Sequence, residues 1–443
     1  MSALPQHLKR VSVLGAGESG ISAALLLATE GCKVTVHDTA PAQRLAERSL
    51  KLSAAGIVLQ AEEEALQVPD ATEFAVLSPG IELGTPLVAA FQSAAVPLVG
   101  ELELAFNRCK CPVVAVTGTN GKTTTTQLIE AMFNGANVPT QACGNIGPAF
   151  SAKVGQSEEL SVMTVEVSSF QLETIASFHP RVAIWLNFAP DHLDRYPSMS
   201  EYYAAKLRIF ERQTHDDWAV VNARDELPKL NARTLRFNAQ APGADFSLIN
   251  GMICFLGEPV LRMADTQLYG LHNAENLMAA LATGFAWGLD WSAMRPALCA
   301  YRALPHRCEV VGTSFGVEYV NDSKATNLDA VEKALASETR KIVLIAGGKD
   351  KGFEFDSLTE LVAQRCRSTV LIGEMAGRIS ENWSGALPCQ RAGSLGEAVA
   401  LARAAAQPGD VVLFSPGTSS FDMFQNYADR GNQFRALVKQ LSP

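Results

Sequence analysis

The chain has 443 residues, 47% of them apolar and 19% charged, with a formal charge of −9; that is room for about three domains of ordinary globular composition. The acidic balance argues against non-specific nucleic-acid binding, which runs on cation–phosphate contacts. No uninterrupted apolar run of about 18 residues offers a membrane span, so no membrane partner is expected.

The first segment opens with a strand at residues 10–14 (RVSVL). Gly15-Ala16-Gly17-Glu18-Ser19-Gly20 follows, then a helix over 21–29, a stop at Gly31 and a second strand over 33–38. This β-α-β pattern, with G-x-G-x-x-G and an acidic residue about 20 positions on, puts a nucleotide or diphosphate at a helix N-terminus, with Asp38 near a polar group. Taken literally it spells NAD, but it does not fix which nucleotide. Residues 75–81 read as a strand running into the turn Ser78-Pro79-Gly80, and 96–100 as a short strand. A helix over 101–106 then leads to a junction at 108–112, which sets a boundary near residue 104. Cys109-Lys110-Cys111 is too tightly spaced for a standard zinc half-site. The nine cysteines are scattered, as expected of free thiols in a reducing, cytoplasmic setting.

The second segment carries the strongest local signal. An apolar, β-branched strand (112–117) meets Gly118-Thr119-Asn120-Gly121-Lys122-Thr123-Thr124, and a helix over 123–133 follows with Leu128, Ile129, Met132 and Phe133 on one face. Glycines let successive N–H groups converge on phosphate, and the helix N-terminus adds positive potential. Lys122 is placed to meet phosphates and Thr123 to hold Mg²⁺. The spacing departs from the standard loop: Val116 stands where its first glycine belongs, leaving a shorter G-x-x-G-K-T.

Downstream, Gly144-Asn145-Ile146-Gly147 is a turn, and 160–167 is a strand with Glu166 near its end. Glu166 either faces water or offers carboxylate oxygen to a hard cation. A further strand (181–187) ends in Phe188-Ala189-Pro190-Asp191-His192-Leu193-Asp194-Arg195, where two aspartates make His192 a candidate site residue. Ser198 to Glu201 reads as a capping box, starting a helix whose Lys206 would ordinarily be solvated. After short strands over 236–270, a helix opens at Gly270 and runs to 286; Asn273 and Asn276 share a face and either read a base edge or cap the helix, and spacing favours the cap.

Leu304-Pro305-His306-Arg307 marks the second boundary. Strands at 317–321, 341–346, 369–373 and 410–414 alternate with helical stretches, giving a third α/β unit. Its strand ends carry polar or glycine residues, as expected of the second half of an active site.

These stations resemble the Mur ligase family over essentially the whole chain, and within it the branch that adds D-glutamate. The likeness is carried by TGTNGKTTTT (117–126), GNIG (144–147), EVSSFQL (166–172), NFAPDHLDRY (187–196), AAKLRIF (204–210), HNAEN (272–276), LPHR (304–307), NDSKATN (321–327) and SPGTSSFDMF (415–424). It implies an α/β chain of three domains: a Rossmann-like UDP-binding domain (1–104), a P-loop ATPase-like domain (105–303) and a Rossmann-like amino-acid-binding domain (304–443). It implies a cytoplasmic, monomeric enzyme of peptidoglycan synthesis, using ATP and two Mg²⁺, with UDP-N-acetylmuramoyl-L-alanine and D-glutamate as substrates and no nucleic-acid partner. ATP would bind between the central and C-terminal domains, with closure around it.

By the same resemblance, Gly118, Thr119, Asn120, Gly121, Lys122, Thr123 and Thr124, with Asn273, Asn276, His306, Arg307, Asp322 and Lys324, serve ATP. Thr123, Glu166, His192 and Lys206 serve the metal, Lys206 as a CO₂-derived carbamate. Lys122, Glu166, His192, Lys206 and Lys324 form the catalytic set. Ser19, Asp38, Thr39, Ser78, Gly80, Asn145 and His192 match the UDP-substrate side, and Thr326, Lys351, Ser420 and Tyr427 the D-glutamate pocket, where Lys349 and Lys351 compete for one role. A nucleotide-binding regulator without catalysis is the rival reading; intact Lys122, Glu166, His192 and Lys206 argue against it.

Overall fold

The computed structural model describes residues 9–191, 195–302 and 305–441. The first sheet has five parallel strands, ordered Val58–Ala61, Lys33–Asp38, Arg10–Leu14, Phe74–Leu77, Leu98–Gly100. Strand order reverses between Arg10–Leu14 and Phe74–Leu77, the place where an open α/β sheet leaves a ligand crevice. The helix Glu18–Thr29 starts there. A Cβ at Gly20 would stand 1.9 Å from the Gly15 carbonyl oxygen, so the third glycine of the motif is what lets helix and loop touch.

The central sheet has nine strands. Seven run parallel in the order Thr140–Gly144, Val162–Glu166, Val113–Thr117, Val182–Trp185, Trp218–Asn222, Arg233–Asn238, Phe246–Ile249. Met252–Phe255 and Glu258–Arg262 add an antiparallel edge. The helices Lys122–Gly135 and Leu271–Trp287 share one core with this sheet, through Leu128, Met132, Phe133, Leu277 and Leu281. Every residue of Val113–Thr117, Val162–Glu166 and Val182–Trp185 is buried. A parallel sheet covered on both faces has no wet side, so alternation never exposes Glu166, and the water-facing reading fails.

Helix entry also differs from expectation. Neither Asn273 nor Asn276 caps Leu271–Trp287; Asn273 Nδ2 donates to the Tyr269 carbonyl (2.8 Å) and Asn276 Nδ2 to Asn273 Oδ1 (3.2 Å). Ser198 does cap the helix Met199–Leu207, accepting from the Glu201 N–H, but the Glu201 carboxylate takes the Ser198 hydroxyl instead of its backbone N–H. The reciprocal box lies at Ser168 and Gln171.

The third sheet is ordered Glu309–Ser314, Val317–Asn321, Val411–Phe414, Ile342–Gly347, Cys366–Ile372, Cys389–Arg391, with the first strand antiparallel. None of the nine cysteines is in a disulfide. Among the described residues no helix is long and apolar enough to cross a membrane.

The helix Glu101–Arg108 joins the first two domains. Leu104 packs in the core of the first, Leu102 and Ala105 in that of the second. Glu103, 2% exposed, accepts from the N–H groups of Ala176, Ser177 and Phe178, the Ser177 hydroxyl and Asn107 Nδ2. Arg108 then pairs with both oxygens of Glu30 in the first domain (2.9 and 3.1 Å). A carboxylate facing five donors tolerates no amide in its place. Glu103→Gln is expected to lose about 2 kcal/mol in urea unfolding followed by circular dichroism; an unchanged midpoint would show that the junction does not depend on this group.

Candidate active site

The strand Val113–Thr117 delivers the chain to Gly118 (φ 152°) and Gly121 (φ 82°), conformations that favour glycine. There is also no room for a side chain: a Cβ at Gly121 would lie 2.4 Å from Asn276 Oδ1. The loop is held from the next strand. Asn187 Oδ1 accepts the Asn120 N–H (2.9 Å), and its Nδ2 donates to the Asn120 carbonyl (3.1 Å). The Thr119 hydroxyl donates to the Ala189 carbonyl (3.2 Å). The anion cradle at the helix N-terminus is therefore rigid by construction.

Two lysines converge on this loop. Lys122 Nζ donates to the carbonyls of Gly118 (2.9 Å) and Thr119 (2.8 Å). Lys206 Nζ, from the helix Met199–Leu207, donates to the same Gly118 carbonyl (2.8 Å). Lys206 is 1% exposed, so the solvated-lysine reading fails. Burial first, then the Lys122 charge, pushes its pKa well below the ordinary lysine value, although Asp191 and Glu166 oppose the shift. Burial lowers the Lys122 pKa too. Glu166, 2% exposed, accepts from Thr123 Oγ1 on Oε2 (2.9 Å) and from Asn145 Nδ2 on Oε1 (2.8 Å). A carboxylate and a hydroxyl held together are a hard, all-oxygen donor set, which fits Mg²⁺. His192 lies outside the described residues.

Opposite the loop, the C-terminal domain closes a pocket. Asn120, Gly121, Thr124, Asn273 and Asn276 line one side, and Arg307, Asp322 and Lys324 the other. Burial raises the Asp322 pKa to about 6, against hydrogen bonds from the Ser415 hydroxyl (2.8 Å) and the Cys308 N–H (3.2 Å). Burial, with the Arg307 charge, lowers that of Lys324 to about 8. Lys324 Nζ stands 3.8 Å from the centre of the Tyr427 ring, a cation–π contact. His306 sits behind this wall: Nδ1 pairs with Asn321 Nδ2 (2.9 Å), and a Cβ on Gly431 would come within 2.3 Å of the ring.

Family models match along the whole chain: a MurD-like N-terminal domain of Mur ligases at residues 9–100, the Mur ligase middle domain at 116–284, and the Mur ligase glutamate ligase domain at 306–417. The chain belongs to the Mur ligase family. It is 40% identical over 442 residues to the UDP-N-acetylmuramoylalanine–D-glutamate ligase of Acidobacterium capsulatum, covering 97% of this chain and 96% of that one. The protein of the same name from Trichlorobacter lovleyi is 42% identical over 444 residues, covering 98% and 99%. Among solved structures, a UDP-N-acetylmuramate–alanine ligase from Thermotoga maritima superposes with a TM-score of 0.63 at 20% identity, covering 98% of this chain and all of that one. A pseudomurein peptide ligase type C from Methanothermus fervidus does so at 0.62 and 17%, with coverage of 98% and 100%. At such identities these two show the fold alone.

The remaining candidate residues of this Mur ligase fall into two groups. Ser19, Ser78 and Gly80 border the switch-point crevice of the first sheet, since the Ser78 N–H bonds the Leu14 carbonyl (2.9 Å). Asp38 has a structural task there: its two oxygens accept the N–H groups of Ala16 (2.8 Å) and Ala40 (2.9 Å), tying the glycine loop to the second strand. Thr39 lines a neighbouring hollow with Glu62, Ile81 and Thr85. Asn145 links this side to Glu166. Across the molecule, Lys351 reaches Asp191 of the central domain (Nζ–Oδ1 3.1 Å), whereas Lys349 is exposed. Of the two competing lysines, Lys351 is the one in the cleft. Thr326 is half-buried beside Lys324 and Ser420 is 3% exposed.

Sequence reasoning passed over Asn187, Asn327, Asp329 and Lys333. The signal for Asn187 was its place at a strand end, and for Asp329 and Lys333 their i, i+4 spacing (2.7 Å); nothing local reveals that they face the phosphate loop.

Lys324 serves an anionic ligand only while charged. Its charge is nearly complete well below pH 8 and is lost as pH rises through about 8. The kcat/KM for ATP, which reports the free enzyme, is expected to fall over that range, and Lys324→Arg to move the fall to higher pH. A profile level to about pH 9.5 would remove Lys324 from charge neutralisation.

Proposed function

We propose that this Mur ligase joins the amino group of D-glutamate to the alanyl carboxylate of UDP-N-acetylmuramoyl-L-alanine, driven by ATP, in the synthesis of peptidoglycan precursor. The observation that carries the reading is the full-length likeness to D-glutamate ligases, at about 40% identity across all three domains. The enzyme acts as a cytoplasmic monomer.

A carboxylate is a poor electrophile. Transfer of the γ-phosphoryl group turns one of its oxygens into a leaving group, the amine attacks the carbonyl carbon, and phosphate departs as the amide forms. Such transfer is chiefly positioning and charge neutralisation. The N–H groups of the Gly118–Thr124 loop hold the phosphates, and Lys122, Lys324 and Arg307 offset their charge. Asp322, Asn273 and Asn276 orient the nucleoside. The first-sheet crevice, with Ser19, Thr39, Ser78 and Gly80, holds the UDP end, and Lys351, Thr326, Ser420 and Tyr427 the amino acid. Thr123 and Glu166 are the oxygen donors for Mg²⁺, joined by His192; bound there, Mg²⁺ neutralises phosphoryl charge.

Lys206 reaches that role through its burial. An ammonium there would repel both Lys122 and a cation. A depressed pKa supplies the free amine, which adds CO₂ and becomes an anionic oxygen ligand. Lys206→Ala is expected to lose about 10²–10³-fold in kcat and to recover in part with a short carboxylic acid in the buffer; full activity without any added acid would exclude the carbamate.

The substrate assignment is tested by phosphate release with ATP, Mg²⁺ and UDP-N-acetylmuramoyl-L-alanine, comparing D-glutamate, L-glutamate, L-lysine and meso-diaminopimelate. Release only with D-glutamate, with an amide product by mass, is the expected result. Release with another acceptor would keep the ligase chemistry and overturn the amino acid.

A further inference from the structure

The interface between the central and C-terminal domains is crossed by hydrogen bonds that the chemistry above does not use. They start at Asn120. Because Asn187 holds its backbone through both N–H and carbonyl, the Asn120 side chain is left to face the C-terminal domain. Its Oδ1 accepts from Asn327 Nδ2 (3.3 Å), and its Nδ2 donates to Asn327 Oδ1 (3.3 Å) and to Asp329 Oδ2. Asn327 caps the helix Leu328–Ser337, accepting the Ala330 N–H (3.0 Å), and its Nδ2 also donates to Asp191 Oδ2 (3.1 Å). The other Asp191 oxygen accepts from Lys351 Nζ (3.1 Å). Asp329 is steadied by Lys333 (2.7 Å), which lines the nucleotide pocket.

The Asn327 amide is 3% exposed and fully used: two donations from Nδ2 and two acceptances at Oδ1, the most an amide offers. A buried amide with no spare position has one satisfied arrangement. Displacing Asn120 therefore takes one donor and one acceptor from Asn327, the residue that also holds Asp191, to which Lys351 is bound. The two ends of the chain are the phosphate loop and the lysine assigned to the amino acid.

We propose that Asn327 and Asp329 are positioning residues that carry the placement of the phosphate loop to Lys351, so that nucleotide and amino acid tighten each other's binding. This rests on the role given to Lys351 above. Coupling of this kind is reciprocal, so it can be read from the nucleotide side alone.

The test uses the full chain with UDP-N-acetylmuramoyl-L-alanine present and a non-hydrolysable ATP analogue as the probe. Calorimetry gives the ratio of analogue Kd without and with saturating D-glutamate. The wild type is expected to show a ratio of about ten. Asn327→Ser keeps a helix cap but is too short to span Asn120 and Asp191, and Asp329→Ala drops the contact to Asn120; both should bring the ratio to about two or less. Asp329→Asn, whose amide oxygen still accepts from Asn120, should restore it, which a loss of fold stability would not allow. A wild-type ratio in both variants, or no coupling in the wild type with any amino acid, would overturn the proposal. Coupling through these residues with L-glutamate or L-lysine in place of D-glutamate would support it and overturn the substrate assignment instead.

Discussion

One carbonyl oxygen accepts two lysines. Gly118 O lies 2.9 Å from Lys122 Nζ and 2.8 Å from Lys206 Nζ; Lys206 is fully buried to get there and Lys122 half-buried. Burying two like charges side by side is costly unless one loses its proton or both meet an anion. Glu166 and Asp191 are the opposing charges that act on both. Positive charge is added from the facing wall, where Arg307 acts on Lys122 and on Lys324. At Lys206 itself, burial and the Lys122 charge favour the neutral amine. The pocket is preorganised by the fold; the chemistry asks only that anions arrive.

What brings those groups together is the C-terminal end of neighbouring parallel strands. The phosphate loop follows Val113–Thr117, Glu166 ends its neighbour on one side, and Asn187 follows its neighbour on the other. The C-terminal domain repeats the arrangement, with Asp322 and Lys324 after one strand and Lys351 after another. Two strand-end surfaces meet, and the pocket proposed for the nucleotide is the space between them. The first domain is fastened to the central one by the shared helix Glu101–Arg108, by the Arg108–Glu30 pair and by Arg195, which donates to the Pro79 carbonyl (2.9 Å).

Much of this was legible in the sequence because the chemistry is local. Glycines flanking a lysine after a β-branched strand can be read without a partner, and so can the β-α-β unit at residues 10–38. The failures share a cause. Alternation left the side of Glu166 open because it presumes one wet face, and this strand has none. Lys206 looked solvated because nothing nearby in sequence announces that its helix lies under the phosphate loop. Asp38 has a task the motif does not announce: each of its oxygens accepts a backbone N–H. Asn120 lines the pocket as its motif suggests, but its side chain also meets residues 207 and 209 positions away. Periodicity and motif spacing carry no information about such contacts.

The central claim is that this pocket makes the substrate carboxylate reactive by attaching phosphate to its oxygen. The most direct measurement is to label the alanyl carboxylate of UDP-N-acetylmuramoyl-L-alanine with the heavy isotope of oxygen, run one turnover with ATP and D-glutamate, and weigh the phosphate released. The account predicts one labelled oxygen in each phosphate formed. Unlabelled phosphate, with the label retained elsewhere, would contradict it.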